Sequence, residues 1–184
     1  MFAAAVLVLS LVVPPPPSVT IDVLSVSGEG CPPGSASVAM SLDNEAFTVV
    51  YNDFIVHPHG PDGHKTCDIS LRVNHPDGYT YGIAQTDYRG FASLEPGTKG
   101  TLRTSYFFPG LTPTVHNPHN FDGPMVGDWQ TTDQPVTVVH NTCKEHKPLT
   151  IKADLKVTGK SAASMMTMDS TDGSATFKLD WRKC

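Results

Sequence analysis

The stretch LTIKADLKV, residues 149–157, decides the fold class, because apolar and polar residues alternate along it without a break. Successive side chains of an extended strand point to opposite faces, so the alternation places one face against a core and the other toward water. The apolar face holds Leu149, Ile151, Ala153, Leu155 and Val157, and the polar face holds Thr150, Lys152, Asp154 and Lys156. We therefore predict a half-buried β-strand here.

The same period of two recurs in short runs along the chain. Gly, Pro, Asn and Asp cluster between the runs, which predicts turns. Short strands separated in this way indicate an all-β fold, an antiparallel β-sandwich or jelly-roll-like domain, and almost no helix is expected. Residues 109–135 form the longest stretch that we expect to be irregular. The runs lie at 19–27, 36–42, 46–56, 67–73, 79–90, 100–108, 136–140, 149–157, 164–168 and 175–181.

The first 18 residues differ in composition from the rest. Residues 1–13 are uncharged and apolar, and four prolines and a serine follow at 14–18. The apolar run is too short for a membrane-spanning helix, which needs about 20 residues, and it resembles the apolar region of a signal peptide. We predict a signal-like segment with a proline-rich leader at 1–18 and a single secreted domain at 19–184, not an integral membrane protein. A buried N-terminal strand or helix is the alternative.

The four cysteines support export. They stand at Cys31, Cys67, Cys143 and Cys184, and no two of them form the C-x-x-C pair of a zinc or redox site. Wide spacing in an exported chain predicts two disulfide bonds, with free thiols as the alternative. Three pairings are possible, and we favour Cys31–Cys67 with Cys143–Cys184, because each then joins segments within its own half of the domain.

The charge distribution argues against a nucleic-acid partner. The chain has 13 Lys and Arg against 18 Asp and Glu, a formal net charge of −5. Nucleic-acid binding requires basic residues clustered on one face, and no such cluster occurs in the sequence.

The segment HPHGPDGHKTC, residues 57–67, raises the question of a metal site. His57 and His59 would share one face of an extended strand, and a turn could return His64 as a third ligand. Three imidazoles and a water form a catalytic zinc site. Pro58 and two glycines disfavour the regular strand that such a site would need. We therefore favour a solvated hairpin loop with no cofactor, and a divalent metal site is the alternative.

Other catalytic patterns are weaker still. A second group, HNPHNFD, contains His116, His119 and Asp122, and we treat it as an alternative ligand set. The sequence has no G-x-S-x-G motif of the kind that marks a hydrolase nucleophile. A pair of glycosidase carboxylates among the strand-edge acids remains an alternative to purely structural acids. We assign no catalytic residue.

The aromatic residues permit a binding role, as an alternative to core packing. Tyr79 and Tyr81 share one face of their predicted strand, and an exposed aromatic row would stack on sugar rings. We favour packing in the core, which is how most β-domains use their aromatic residues, and we expect it for Trp181 beside the terminal cysteine. A cell-wall or extracellular glycan is the partner that this pattern suggests.

Several motifs together resemble those of a secreted family of actinobacteria and fungi catalogued as domain of unknown function 4360. The resemblance covers residues 19–184 and implies an exported, disulfide-bonded, β-rich protein. It carries no established reaction, so no catalytic residue follows from it, and the histidines at 57–64 depart from the family pattern. The motifs are GEGCPPGSASVAMSLDNEAFTVVYNDF (28–54), KTCDISLRV (65–73), DYRGFASLEPG (87–97), SYFFPG (105–110), FDGPMVGDWQTTD (121–133), MMTMDSTDG (165–173) and FKLDWRKC (177–184).

From these observations we expect a secreted, non-enzymatic binding or structural module that acts outside the cell or at the cell envelope. The alternative is a secreted hydrolase or metal-dependent enzyme with its site in loops 57–66 and 109–130.

Overall fold

A computed structural model describes residues 13–58, 63–168 and 173–184. The elements assigned within these ranges are all β-strands, which confirms the predicted fold class. No helical segment there has the length and apolar character that a membrane span requires. The strands are β1 (Thr20–Ser27), β2 (Ala36–Met40), β3 (Ala46–Tyr51), β4 (Ile55–Val56), β5 (His64–Asn74), β6 (Tyr79–Leu94), β7 (Lys99–Phe107), β8 (Thr114–Val115), β9 (His119–Asp122), β10 (Met125–Asp133), β11 (Leu149–Thr158), β12 (Met165–Thr167) and β13 (Ser174–Lys183).

The strands form two antiparallel sheets. Sheet A has the order β1-β5-β11-β7-β8, and β9 pairs with β7. Sheet B has the order β2-β3-β13-β6-β12-β4, and β10 pairs with β6. Residues 86–89 of β6 pair with both β13 and β10, so these two strands lie on opposite edges of β6.

The core lies between the inner faces of the two sheets. All five apolar residues of the 149–157 run are buried, as the alternation predicts. Across the sheets, the ring of Tyr106 in β7 meets the ring of Phe177 in β13 with centroids 6.5 Å apart. The Tyr106 hydroxyl also donates a hydrogen bond to the carbonyl of Ile83 in β6 at 3.3 Å. One apolar cluster therefore joins sheet A to sheet B.

Two disulfide bonds close the structure in the predicted pairing. Cys31 bonds Cys67 and thereby ties the loop after β1 to β5. Cys143 bonds Cys184 and ties the segment before β11 to the C-terminal residue. Both bonds confirm the pairing that was favoured from the sequence.

Two sequence-based expectations about strands are wrong. The stretch 109–135 contains β8, β9 and the nine-residue strand β10. The pattern of β10 is hidden because Gly127 and polar residues occupy positions where a strand usually places apolar ones. The expected strand at 136–140 forms only an isolated bridge between His140 and Gly82. A Cβ at Gly82 would lie 2.5 Å from the side chain of Val138, so this segment crosses β6 where β6 has no side chain.

Candidate functional site

The outer face of sheet A is polar across its central strands. β11 directs the polar half of its alternation to this face, and β5 and β7 pair with it on either side. Asp154 stands opposite Thr66 of β5 and Arg103 of β7 in the sheet register. Backbone hydrogen bonds of three adjacent strands thus fix the backbone positions from which these side chains extend.

The chain after β7 borders this face. Val115 of β8 pairs with Ser105, and Asn120 of β9 pairs with Thr101, so residues 114–122 run along the free edge of β7. Two open cavities of about 340 Å³ and about 530 Å³ lie on this side of sheet A. We call them together the charged groove, and its lining residues are Thr66, Asp68, Arg103, Thr104, Ser105, Val115, His116, Lys152, Ala153 and Asp154 in one cavity and His64, Thr101, Arg103, Pro118, Asn120, Asp154, Lys156 and Thr158 in the other.

Arg103 and Asp154 line both cavities, so the two cavities adjoin each other at these residues. The groove brings together parts of the two loops singled out in the sequence, because His64 comes from the first and Pro118 and Asn120 from the second.

The carboxylates of the groove are paired with cations or imidazole. Lys152 donates to Asp68 at 3.1 Å, and the Nε2 atom of His64 lies 2.6 Å from Asp154. These side chains keep 34–51% of their surface exposed, so each pair contributes little to stability. Their effect is to fix the orientation of charged groups along the groove.

Two cations of the groove are unpaired. Among the described residues, neither Arg103 nor Lys156 has a hydrogen-bond or ion-pair partner. Both side chains are exposed. The guanidinium and ammonium groups therefore remain available to a ligand.

Behind the groove, a histidine pair holds the 114–122 segment against β10. The Nε2 atom of His119 donates to Asp133 at 2.9 Å, and the Nδ1 atom of His116 lies 3.9 Å from the same carboxylate. The side chains of His116 and Asp133 are 6% and 11% exposed. Burial lowers the pKa of His116, and the nearby His119 adds to this effect, although the Asp133 carboxylate opposes it.

This lowered pKa predicts a pH dependence of stability. A histidine that binds its proton more weakly in the folded state lowers stability as pH falls through its ordinary pKa of about 6.5, and the loss persists at lower pH. Between about pH 7 and about pH 5, the wild-type melting temperature should fall more than that of His116→Gln. The control is His57→Gln, at an exposed histidine, which should follow the wild type. Equal losses in His116→Gln and the wild type would contradict the assignment.

The predicted histidine metal ligands do not form a described cluster. His57 Nδ1 lies 3.3 Å from the carbonyl oxygen of Ser164, and His64 contacts Asp154. His59 lies outside the described residues. Within those residues, no three His, Cys, Asp or Glu side chains are grouped to hold a metal ion.

The second candidate ligand set is rearranged. His116 and His119 do come together, but around Asp133 of β10. Asp122 is the carboxylate that the sequence suggested, and it lies instead 3.9 Å from Lys99. The antiparallel pairing of β9 with β7 points Asp122 and His119 to opposite faces.

In the structure, Tyr79 and Tyr81 do not form the exposed row that was the alternative to core packing. Tyr81 is fully buried, with its ring edge against Phe108 at 5.4 Å between centroids. Tyr79 is half-buried, and the Lys183 ammonium lies 3.7 Å from its ring centroid. The face that the two tyrosines share is the core side of β6. Trp181 is buried, as expected.

Sequence reasoning missed Arg103 and Lys156. Their alternation placed them on outward faces, but outward charged residues occur on most strands. The signal that distinguishes them is the adjacency of β7 and β11, which a single sequence does not display.

Fold and groove together define a disulfide-bonded, two-sheet β-protein with an open polar groove on one outer face. The chain belongs to the family described as Domain of unknown function (DUF4360), whose model matches residues 17–184. An uncharacterized secreted protein of Arthroderma benhamiae is 28% identical over an alignment of 184 positions, which covers 93% of this chain and 74% of that protein. The present chain is likewise a secreted protein, and its disulfide bonds are typical of an oxidising compartment.

Several solved structures are similar to the chain at low identity. One is TmCBM61 in complex with β-1,4-galactotriose, at 12% identity over 86% of this chain and 87% of that chain, with a TM-score of 0.33. A second is the N-terminal cellulose-binding domain of Cellulomonas fimi β-1,4-glucanase C, at 10% identity over 87% and 89%, with a TM-score of 0.32. A third is Broad bean stain virus, at 8% identity over 71% and 85%, with a TM-score of 0.37. Similarity at this level carries no information about a ligand.

Proposed function

We propose that the protein is a non-enzymatic extracellular module that binds a glycan chain in the charged groove. The observation that carries this proposal is the open, polar lining of the groove on adjacent, hydrogen-bonded strands. Sugar hydroxyls both donate and accept hydrogen bonds, and the groove offers groups of both kinds.

The groove is preorganised for such a ligand. Thr101 donates to Asn120 at 3.1 Å between β7 and β9, so hydroxyl and amide groups are already oriented at the groove surface. Binding to side chains that are held on a sheet costs less ordering entropy than binding to a mobile loop. This favours an extended chain with many weak contacts over a small enclosed ligand.

Hydrolysis is the second candidate, because Asp68 and Asp154 lie on the same face of neighbouring strands. The acid of a glycosidase lies in an apolar pocket or beside a second carboxylate. Here Asp68 is held by Lys152, and both acids are more than a third exposed in their side chains. These surroundings support binding rather than cleavage.

Affinity electrophoresis through gels that contain soluble glucan, xylan, galactan or polygalacturonan tests the proposal. The wild type should be retarded by at least one glycan. Ser105→Trp places a bulky ring in the groove without changing charge and should weaken that binding about tenfold or more. Gln130→Trp, on the outer face of sheet B, is the matched control.

Two outcomes would overturn the proposal. The first is absence of retardation in every gel together with no retention on insoluble cellulose, chitin or peptidoglycan. The second is a wild-type protein that releases reducing sugar from the bound glycan and an Asp154→Asn variant that does not, because this result would make the protein a hydrolase.

A further inference from the structure

Resting on the proposed function, we infer that the charged groove selects glycans that carry carboxylate groups, that is, chains containing uronic acid residues. The inference depends on the sign and the pairing of the charges in the groove.

The groove has the opposite charge to the chain as a whole. Its lining contains the cations Arg103, Lys152 and Lys156 and the carboxylates Asp68 and Asp154. With histidines counted as neutral, positive charge exceeds negative there, whereas the whole chain has a formal charge of −5. A local excess of positive charge on an acidic protein attracts an anionic ligand to this face.

The excess resides in two specific groups. Asp68 is paired with Lys152, and Asp154 is in contact with His64. Arg103 and Lys156 are left unpaired, and they are diagonal neighbours on β7 and β11 because Arg103 stands opposite Asp154. Diagonal neighbours of this kind have side chains roughly 7–8 Å apart at their bases. Two anionic groups of one ligand could therefore be bound at the same time.

The type of cation favours a carboxylate. A guanidinium group binds a planar carboxylate through two parallel hydrogen bonds, and charge-assisted bonds are stronger than neutral ones. The neighbouring Thr101 and Asn120 provide groups for the hydroxyls of the same sugar ring. Uronic acid residues combine the two kinds of group in a single repeating unit.

The carboxylates in the groove favour a ligand that carries hydroxyl groups as well as anionic groups. Asp154 stands opposite Arg103 and two residues before Lys156 on β11, and its negative charge disfavours a ligand that offers only anionic groups. Nucleic acid has one phosphate per nucleotide on each strand and requires a continuous basic surface. A uronic acid chain carries hydroxyl groups beside its carboxylates, and these hydroxyls can donate hydrogen bonds to Asp154, whereas the phosphodiester backbone of DNA has no such donors.

Polygalacturonan and its fully methyl-esterified form provide matched ligands, because they differ in the charge of the carboxyl group and not in the backbone. Isothermal titration calorimetry with oligomers of equal length should show that the free acid binds at least about tenfold more tightly than the methyl ester. The affinity for the acid should decrease as salt is raised, since exposed charges are screened.

Arg103→Gln/Lys156→Gln removes the two unpaired cations, and Arg89→Gln/Lys178→Gln removes two cations from the outer face of sheet B as the charge-matched control. The first variant should lose the preference for the acid, with affinity reduced about tenfold or more, and the control should stay within about twofold of the wild type. Circular dichroism melts establish that both variants are folded.

The outcomes separate this inference from the proposed function. Equal binding of acid and ester by the wild type would overturn the carboxylate selection and leave glycan binding intact. Binding of neither ligand, nor of any neutral glycan, would overturn both. Tighter binding of single-stranded DNA than of the free acid would show that the groove recognises phosphate rather than carboxylate and hydroxyl groups, and would also overturn the inference.

Discussion

Replacement of both Cys31 and Cys67 with serine is expected to lower the free energy of unfolding by about 2–5 kcal/mol. The bond joins positions that are 36 residues apart, so its loss frees a long loop in the unfolded chain. Both cysteines are buried, with exposures of 0% and 1%. Serine would therefore place two hydroxyl groups in the core, which adds a desolvation cost.

Urea unfolding followed by circular dichroism measures this loss. Cys143→Ser/Cys184→Ser is the matched comparison, because its loop has a similar sequence separation of 41 and both of its cysteines are exposed. We expect the second variant to lose less stability than the first. A Cys31→Ser/Cys67→Ser protein within about 1 kcal/mol of the wild type would be inconsistent with a role of this bond in the core.

The Cys31–Cys67 bond also supports the charged groove. Cys67 lies in β5 between Thr66 and Asp68, whose side chains line one cavity. The bond holds this part of β5 from the core side. Loosening of β5 in the serine variant should therefore weaken glycan binding as well as stability.

Phe177→Ala is expected to destabilise the protein by about 3–5 kcal/mol. Phe177 is fully buried in β13, stacked on Phe47 with ring centroids 4.9 Å apart. Its ring also meets the edges of Tyr88 and Tyr106, at 6.3 Å and 6.5 Å. Truncation removes the contacts of this ring with both sheets and leaves a cavity that rigid strands cannot fill.

The neighbouring Lys178→Ala is the control for Phe177→Ala. Lys178 points to the outer face, and its half-exposed side chain lies 3.5 Å from Asp87, a surface ion pair of the kind that contributes about 0–1 kcal/mol. Thermal unfolding of both variants distinguishes the two positions. A loss below about 1 kcal/mol in Phe177→Ala would mean that the two sheets do not pack through this residue.

The fold could be predicted from the sequence because alternation is a local signal. LTIKADLKV indicated both faces of β11, and the structure buries one face and exposes the other. The positions of the cysteines allowed three disulfide pairings, and the structure contains the one that we favoured. β10 could not be predicted, because its inner positions include Gly127 and Asp133 and so break the apolar alternation.

The site was only partly accessible from the sequence. The sequence indicated the histidines of both loops as candidate ligands, and one of them, His64, lines the groove. Arg103 and Lys156 became neighbours only through the pairing of β7 with β11, which are far apart in the chain. The inward direction of Tyr81 depends on which side of β6 faces sheet A, and alternation alone does not specify that side.

The central claim is that the outer face of sheet A binds the ligand. Two-dimensional ¹H–¹⁵N NMR of the uniformly labelled protein, titrated with a galacturonic acid oligomer, tests it most directly, because the spectrum contains the Nε–H signal of Arg103. We predict the largest shift changes at this signal and in β5, β7 and β11. Changes concentrated instead around Asp87 on β6, with β5, β7 and β11 unaffected, would contradict the claim.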